Sequence, residues 1–353
     1  MLCADYMPYL LHFKQPSGTS RGILTDKQTF FIRIWEEHHP NVWGIGECAL
    51  FRGLSSDDLP GYEQELQYVC RHIDVISLKQ LQAWSSIRFG VETALADLRH
   101  GGRHICFPSP FTQGEQSIEI NGLIWMGDRD TMQQRIREKI DAGFHCLKLK
   151  IGAIDFESEL NLLKSIRQQF SFHDLQLRVD ANGAFTPENA LSRIEALAHY
   201  HLHSIEQPIR QGQPLQMSRL CAVSPIPIAL DEELIGINDA EQKQELLATI
   251  RPAYIVLKPA LCGGFHGALE WIQLAEKTHI GWWITSALES NIGLNAIAQW
   301  TATLNNLLPQ GLGTGQLYTN NIPSPLRCYG EKLQFDTAAD WDFKPLNLPK
   351  QTL

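Results

Sequence analysis

A chain of 353 residues with 44% hydrophobic and 20% charged side chains has the material for a sizeable core, which argues against a disordered protein and leaves room for one large barrel beside a smaller domain. A formal net charge of −9 argues against a dominant nucleic-acid role, which needs a basic face, but not against an anionic substrate, whose binding depends on local charge. The eight cysteines are scattered singly with no CxxC pair, as reduced cytoplasmic thiols are, and the opening Met1–Lys14 has no basic start followed by a long apolar run, so no signal peptide, membrane span or membrane partner is expected.

In chain order, Phe30–Trp35 and Val42–Cys48 read as antiparallel strands around the polar turn His38–Asn41. From Leu59 to His100 the apolar spacing becomes helical, with Phe89, Val91, Leu95 and Leu98 on the pattern. Gly101–Gly102 and Pro108–Pro110 then mark a boundary. Strands follow at Ile118–Ile120, His145–Leu149, Leu175–Val179, His203–Ile205, Ile226–Leu230, Ala253–Leu257 and Gly281–Thr285, with helices between them such as Thr131–Ala142, Phe156–Gln169 and Pro187–Ala198. This alternation predicts an α/β chain with a parallel sheet, closed as a TIM-like (β/α)₇β barrel over residues 116–315. Residues 1–115 form the smaller α+β domain, and the Pro-rich tail 316–353 is expected to return to it.

In such a barrel the reactive groups stand at the carboxyl ends of the strands. Asp180, Glu206 and Asp231 occupy the same point of three consecutive units. With neighbouring strands roughly 4.8 Å apart, three carboxylates there converge and repel unless a dication joins them, and oxygen ligands with room for water suit Mg²⁺, with Mn²⁺ as a substitute. The plainer alternative is that each acid caps the helix that follows it. Lys148 and Lys150, two apart on one strand, point to the same side, and Lys258 ends a strand across the mouth. A lysine that works as a base near neutral pH needs its ordinary pKa of about 10.4 lowered by roughly three units, for which a neighbouring lysine and a dication are a source. The plainer alternative is that the two lysines simply ion-pair with the acids. Glu289, with Ser286 and Ser290, could bond a substrate oxygen or orient Lys258, or be ordinary strand-end polar residues. The N–H groups of Gly311–Gly315 could hold a carboxylate, or form only a tight turn.

Taken together, KLK at 148–150, VDAN at 179–182, IEQP at 205–208, LDE at 230–232, LKP at 257–259 and SALES at 286–290 resemble the enolase superfamily in its muconate-lactonizing subgroup. The opening strands and the helix around Arg88–Ala94 resemble that family's capping domain. The resemblance implies Asp180, Glu206 and Asp231 as metal ligands, Lys150 as the proton-abstracting base, Lys148 as its partner and Lys258 opposite. Asn121, Asn182, Glu232, Ser286, Glu289, Ser290, Gly313, Thr314 and Arg21, the last in the loop Gly18–Gly22 where the family's mobile loop belongs, are the expected substrate contacts. Ile284–Gly293, Asn121–Ile124 and Gly311–Gly315 are most similar to the branch that makes o-succinylbenzoate for menaquinone, which implies dehydration of 2-succinyl-6-hydroxy-2,4-cyclohexadiene-1-carboxylate. The alternative within the superfamily is racemisation of an N-acylamino acid or epimerisation of a dipeptide. Against it, the DxD motif usual in dipeptide epimerases near the eighth strand is absent, and Ser286–Ser290 stands in that region. The expected partner is a small carboxylate; a homo-oligomer is compatible with the sequence but not required by it.

Overall fold

The computed structural model describes residues 1–19, 22–125, 127–152 and 154–348. Arg21 lies outside them, so the contact expected of it has no structural account.

The chain opens with a three-stranded antiparallel sheet of β1 (Leu2–Thr19), β2 (Gly22–Glu36) and β3 (His39–Cys48), in the order β1-β2-β3. The first of these was not anticipated: the opening residues pair along β2 from Leu2↔Glu36 to Thr19↔Gly22. Two helices follow, α1 (Tyr62–Arg71) and α2 (Ser85–Arg99), where the helical spacing had suggested one stretch. Sequence explains how α2 meets the sheet. A Cβ on Gly44 would lie 2.0 Å from the Ala94 carbonyl oxygen and one on Gly46 1.9 Å from that of Gly90, so strand and helix touch backbone to backbone through glycines. Phe30, Ile32, Ile34, Leu66, Val69 and Val91 fill the core of this cap.

The second unit begins with β4 (Ile118–Glu119) and β5 (Gly122–Ile124). It continues as α3 (Arg129–Asp141), β6 (Cys146–Lys150), α4 (Phe156–Gln169), β7 (Gln176–Asp180), α5 (Pro187–Ala198), β8 (Ser204–Glu206), α6 (Pro214–Val223), β9 (Ile228–Leu230), α7 (Ala240–Ile250), β10 (Tyr254–Leu257), α8 (Gly264–Lys277), β11 (Gly281–Ile284) and α9 (Asn291–Ala302). Strands β5 to β11 form one parallel sheet in sequence order. Its first strand is Gly122–Ile124; Ile118–Glu119, read from sequence as that strand, instead pairs antiparallel with β13 (Lys332–Phe335), which pairs in turn with β12 (Leu326–Tyr329). The ring closes through two residues: Gln310 bridges to Ile120 and Gly311 to Thr285, both parallel. Leu147, Leu149, Leu177, Val179, Ile205, Leu230, Ile255 and Leu257 are buried in one continuous apolar core with the covering helices. On β6, β7 and β8 these apolar residues alternate with Lys148, Lys150, Arg178, Asp180, Ser204 and Glu206, so one face of the strands packs on the helices and the other carries polar groups.

Residues of the tail complete the cap. Ile322 and Leu346 are buried with Phe31, Trp43 and Ile45, and Lys14 and Thr319 donate backbone hydrogen bonds across to Leu317 and His12. Cap, barrel and tail therefore meet along one seam beside the barrel mouth.

Candidate active site

The strand register delivers the reactive groups. Lys150 on β6 pairs with Asp180 on β7, and Asp180 pairs with Glu206 on β8, while Asp231 follows directly on β9. Lys258 follows β10. Alternation sends Lys148 and Lys150 to the same side, as two residues apart on a strand must go. The backbone past the strand ends is bent: Asn182 and Gln207 have φ of 44° and 41°. Gln207 Oε1 accepts from the N–H groups of Asp231 and Glu233 at 3.1 and 3.2 Å and so fixes the turn that carries Asp231.

None of the three acids caps an α-helix. Asp180 is 1% exposed and Glu206 and Asp231 are each 2% exposed, and all three are met by lysine. Lys148 Nζ donates to Glu206 at 2.6 Å and stands 2.9 Å from Asp180; Lys150 Nζ donates to Asn182 Oδ1 at 2.8 Å and Asp180 at 3.3 Å; Lys258 pairs with Asp231. The ion pairing set out as the plainer role of the lysines is therefore present. Burial works against every charge here, and the partners decide the outcome. For Asp180, burial is outweighed by Lys148 and Lys150, and its pKa falls. For Glu206, burial and the neighbouring Asp180 outweigh Lys148 and push it up to about 8. For Lys148 and Lys258, burial is outweighed by the surrounding carboxylates, led by Asp180 and Asp231 respectively, and both are raised. Acids surround these two amines more closely than other cations do.

Among the described residues no three His, Cys, Asp or Glu side chains stand as a ready metal cluster, because the Lys148 ammonium lies between Asp180 and Glu206. The donor set nevertheless suits a hard dication. It offers three buried carboxylates from adjacent strand ends. Carboxylate oxygens gathered at neighbouring strand ends are the ligands a hard dication prefers.

These groups open into a cavity lined at its polar end by Lys148, Lys150, Asp180, Asn182, Glu232 and Lys258. The far wall contains Asn121, Ser286, Gly313 and Thr314, all expected contacts. Asn121 is 4% exposed with Oδ1 lacking a hydrogen-bond partner among the described residues, and Ser286 and Thr314 share a hydroxyl bond of 2.6 Å. Glu232 accepts from Asn182 at 3.0 Å and is raised by burial and then by Asp231. Two expected contacts are corrected. Glu289 and Ser290 do not line the cavity: Leu288, with φ of 60°, turns the chain, and both side chains enter the seam with the cap. There Glu289 accepts from its own segment's Ala287 N–H at 2.7 Å, Ser290 Oγ donates to Glu47 at 2.6 Å, and burial pushes Glu289 up to about 7. Glu289 thus faces Lys27 and Glu47 rather than Lys258. The apolar wall of Phe51, Leu54, Leu123, Trp125 and Leu288 was not read from sequence. Trp125, just past β5 with its ring 5.7 Å from Lys150 Nζ, carried the one available signal, an aromatic residue at a strand end.

The model of the enolase C-terminal domain-like family matches residues 131–335, more than half of the chain. The o-succinylbenzoate synthase of Desulfotalea psychrophila (strain LSv54 / DSM 12343) is 51% identical over 354 residues, covering 91% of this chain and 95% of that protein. The crystal structure of MenC from Desulfotalea psychrophila LSv54 superposes with a TM-score of 0.84 at 46% identity, over 94% of this chain and 99% of that one. A dipeptide epimerase from Enterococcus faecalis V583, crystallised with Mg and the dipeptide L-Leu-L-Tyr, superposes with a TM-score of 0.80 over 94% of this chain and 96% of that one. At 21% identity, that likeness is one of fold.

Proposed function

Because the chain belongs to the enolase superfamily, we propose that its cavity dehydrates 2-succinyl-6-hydroxy-2,4-cyclohexadiene-1-carboxylate to o-succinylbenzoate, a step of menaquinone biosynthesis. The activity is that of an o-succinylbenzoate synthase, a carbon–oxygen lyase, as in the relative 51% identical over nearly its whole length. The observation that carries the mechanism is the placement of Lys150 and Lys258 in one cavity with a rank of buried acids between their strands. The division into a cap of residues 1–115, a barrel of 116–315 and a tail of 316–353 that rejoins the cap belongs to the same reading. So does a cytoplasmic location, with which eight free cysteines and the absence of any membrane-crossing helix among the described residues agree.

Asp180, Glu206 and Asp231 are the residues that would hold Mg²⁺, and the ion would supply positive charge to the ring carboxylate as the adjacent carbon loses its proton. Lys150, as the neutral amine, takes that proton at Nζ, held in place by Asn182 and Asp180. Positioned acid–base work of this kind supplies roughly 10²–10⁴-fold. The Lys258 ammonium faces the new negative charge from the other side and adds electrostatic stabilisation. The Lys150 ammonium then returns a proton to the departing hydroxyl, water leaves and the ring becomes aromatic. Asn121, with a buried amide oxygen that has no partner among the described residues, is a contact for the substrate. The apolar wall excludes water around the succinyl arm.

Purified protein with Mg²⁺ is expected to form o-succinylbenzoate, and Lys150→Ala to abolish turnover while calorimetric Mg²⁺ binding persists. Full turnover by that variant removes the mechanism. A second reading rests on the same two lysines: lining one cavity from strands on either side of the acids, they suit racemisation of an N-succinylamino acid. Deuterium uptake from solvent at its α-carbon tests this, and retention of the α-proton dismisses it.

A further inference from the structure

Among the buried charged groups to which the mechanism gives no task, Glu47 stands at the joint between cap and barrel. Glu47, the penultimate residue of β3, is fully buried, and its carboxylate accepts four hydrogen bonds, three of them across the seam between cap and barrel. Oε1 accepts from Thr29 Oγ1 at 2.9 Å and the Ser290 N–H at 3.0 Å; Oε2 accepts from Ser290 Oγ at 2.6 Å and the Gly293 N–H at 3.0 Å. Lys27 Nζ lies 4.0 Å away. A strand end of the cap thereby holds the first turn of α9, where exposed N–H groups and the helix dipole favour an anion. The approach is close enough that a Cβ on Gly293 would lie 2.8 Å from Glu47 Oε2.

Both chain segments that leave this junction line the cavity. Three residues ahead of Ser290, Ala287 and then Leu288 form part of its wall. Shortly after Glu47, Phe51 and Leu54 form another part from the cap, Phe51 packing on the same apolar cluster as Leu288. The wall segment is bent through the left-handed Leu288, a conformation that persists only where surroundings over-determine it. Its other ties are the Tyr318 hydroxyl, which donates to the Leu288 carbonyl at 2.7 Å, the Ala287 N–H, from which Glu289 accepts, and the Lys27 ammonium of the cap, which faces Glu289. Glu47 alone among these ties brings a cap carboxylate to the barrel segment.

We propose that Glu47 is a positioning residue that sets the distance between the Phe51–Leu54 wall and the Ala287–Leu288 wall, and with it the fit of the substrate's succinyl arm. The inference rests on the cavity being the site of the dehydration. The lysines and acids stand on strands that Glu47 does not touch, so moving a wall removes contacts made equally to substrate and transition state. Loss of such uniform binding raises KM and spares kcat.

Steady-state kinetics on Glu47→Gln and Ser290→Ala, beside the wild type, test it. Glu47→Gln turns an acceptor into a donor facing N–H and O–H donors and is expected to raise KM about tenfold or more, since hydrogen bonds to charged groups are the stronger ones. Ser290→Ala removes one of the four bonds, together with the Ile292 N–H bond that caps α9, while the Ser290 and Gly293 N–H groups still reach Glu47; it is expected to raise KM by a smaller factor, with kcat within about twofold. Should Glu47→Gln fail to fold, the Ser290→Ala result decides alone. Unchanged KM in the folded variants, or a fall in kcat at constant KM, overturns the proposal. Absence of product from the wild type removes the dehydration reading and this inference with it, whereas wild-type turnover with unchanged variant KM removes the inference alone.

Discussion

At the scale of single residues, the site is a contest between burial and charge pairing. Lys148 serves two acids at once, so its removal leaves Asp180 and Glu206 buried with one cation fewer. Breaking a buried pair this way costs about 3–5 kcal/mol. Lys148→Met is therefore expected to lower Tm in the presence of a chelator and to regain more of it on adding Mg²⁺ than the wild type gains, because the dication replaces the lost charge. Thermal melts with and without the metal measure this, and equal Mg²⁺ shifts in both proteins count against the acids as ligands. Glu289 offers a second test. Its proton is held more tightly in the fold, at about 7, than in the unfolded chain, at about 4.3. That proton stabilises the fold fully below the lower value, and the contribution is lost as pH rises through the upper one. At pH 8 the ionised side chain then costs on the order of 3 kcal/mol. Glu289→Gln, which keeps an acceptor for Ala287 N–H, is expected to melt a few degrees above the wild type at pH 8 and level with it at pH 4. A gap of equal size at both pH values refutes the protonation account. Lysines and acids could be read from sequence because a parallel barrel puts strand ends in one place. Glu289 and Ser290 could not, because the left-handed Leu288 swings them into the seam and no spacing announces that turn.

At the scale of elements, the decisive contact of the cap is glycine against helix. Gly46→Val would drive side-chain atoms into the Gly90 carbonyl, less than a van der Waals contact away, and α2 would have to lift from β3. Overpacking of a core usually costs about 1–3 kcal/mol, and a backbone clash of this kind lies at or beyond the upper end. The expected outcome is a protein that melts several degrees lower or is recovered insoluble; an unchanged Tm shows that strand and helix are not so tightly joined. The helices α4 and α5 were readable to the residue because each begins with a capping side chain, Asp155 or Thr186, ahead of an apolar stripe. The misplaced first barrel strand has a physical reason as well. Ile118–Ile120 is apolar and β-prone, as a barrel strand should be, yet its partner β13 comes from the far end of the chain. Local pattern shows that a segment is a strand and is silent on which sheet takes it.

At the scale of the whole molecule, cap and barrel share buried residues and do not stand as separate bodies. Ile292 of α9 is buried with Phe31, Trp43 and Ile45 of the cap sheet and with Ile322 and Leu346 of the tail. Near- and far-ultraviolet circular dichroism are therefore expected to report one coincident thermal transition. Two resolved transitions would mean that the seam is weaker than its packing indicates. The barrel was legible because strand-then-helix alternation repeats along the chain. The cap was half legible, since β1 has no partner within its own neighbourhood until β2 is known. The apolar cavity wall was illegible, since Phe51, Leu54 and Trp125 differ from core residues only in what they face.

The returning tail has a bearing on biosynthesis. A ribosome releases the β1–β3 sheet before the barrel, yet the residues that cover its Phe31, Trp43 and Ile45 face, from Ile292 to Leu346, emerge only after the barrel strands. While the barrel is being made, the nascent chain must display that greasy surface uncovered. Chaperone demand should then peak in that interval and fall once Leu346 is free to swing back and seal it.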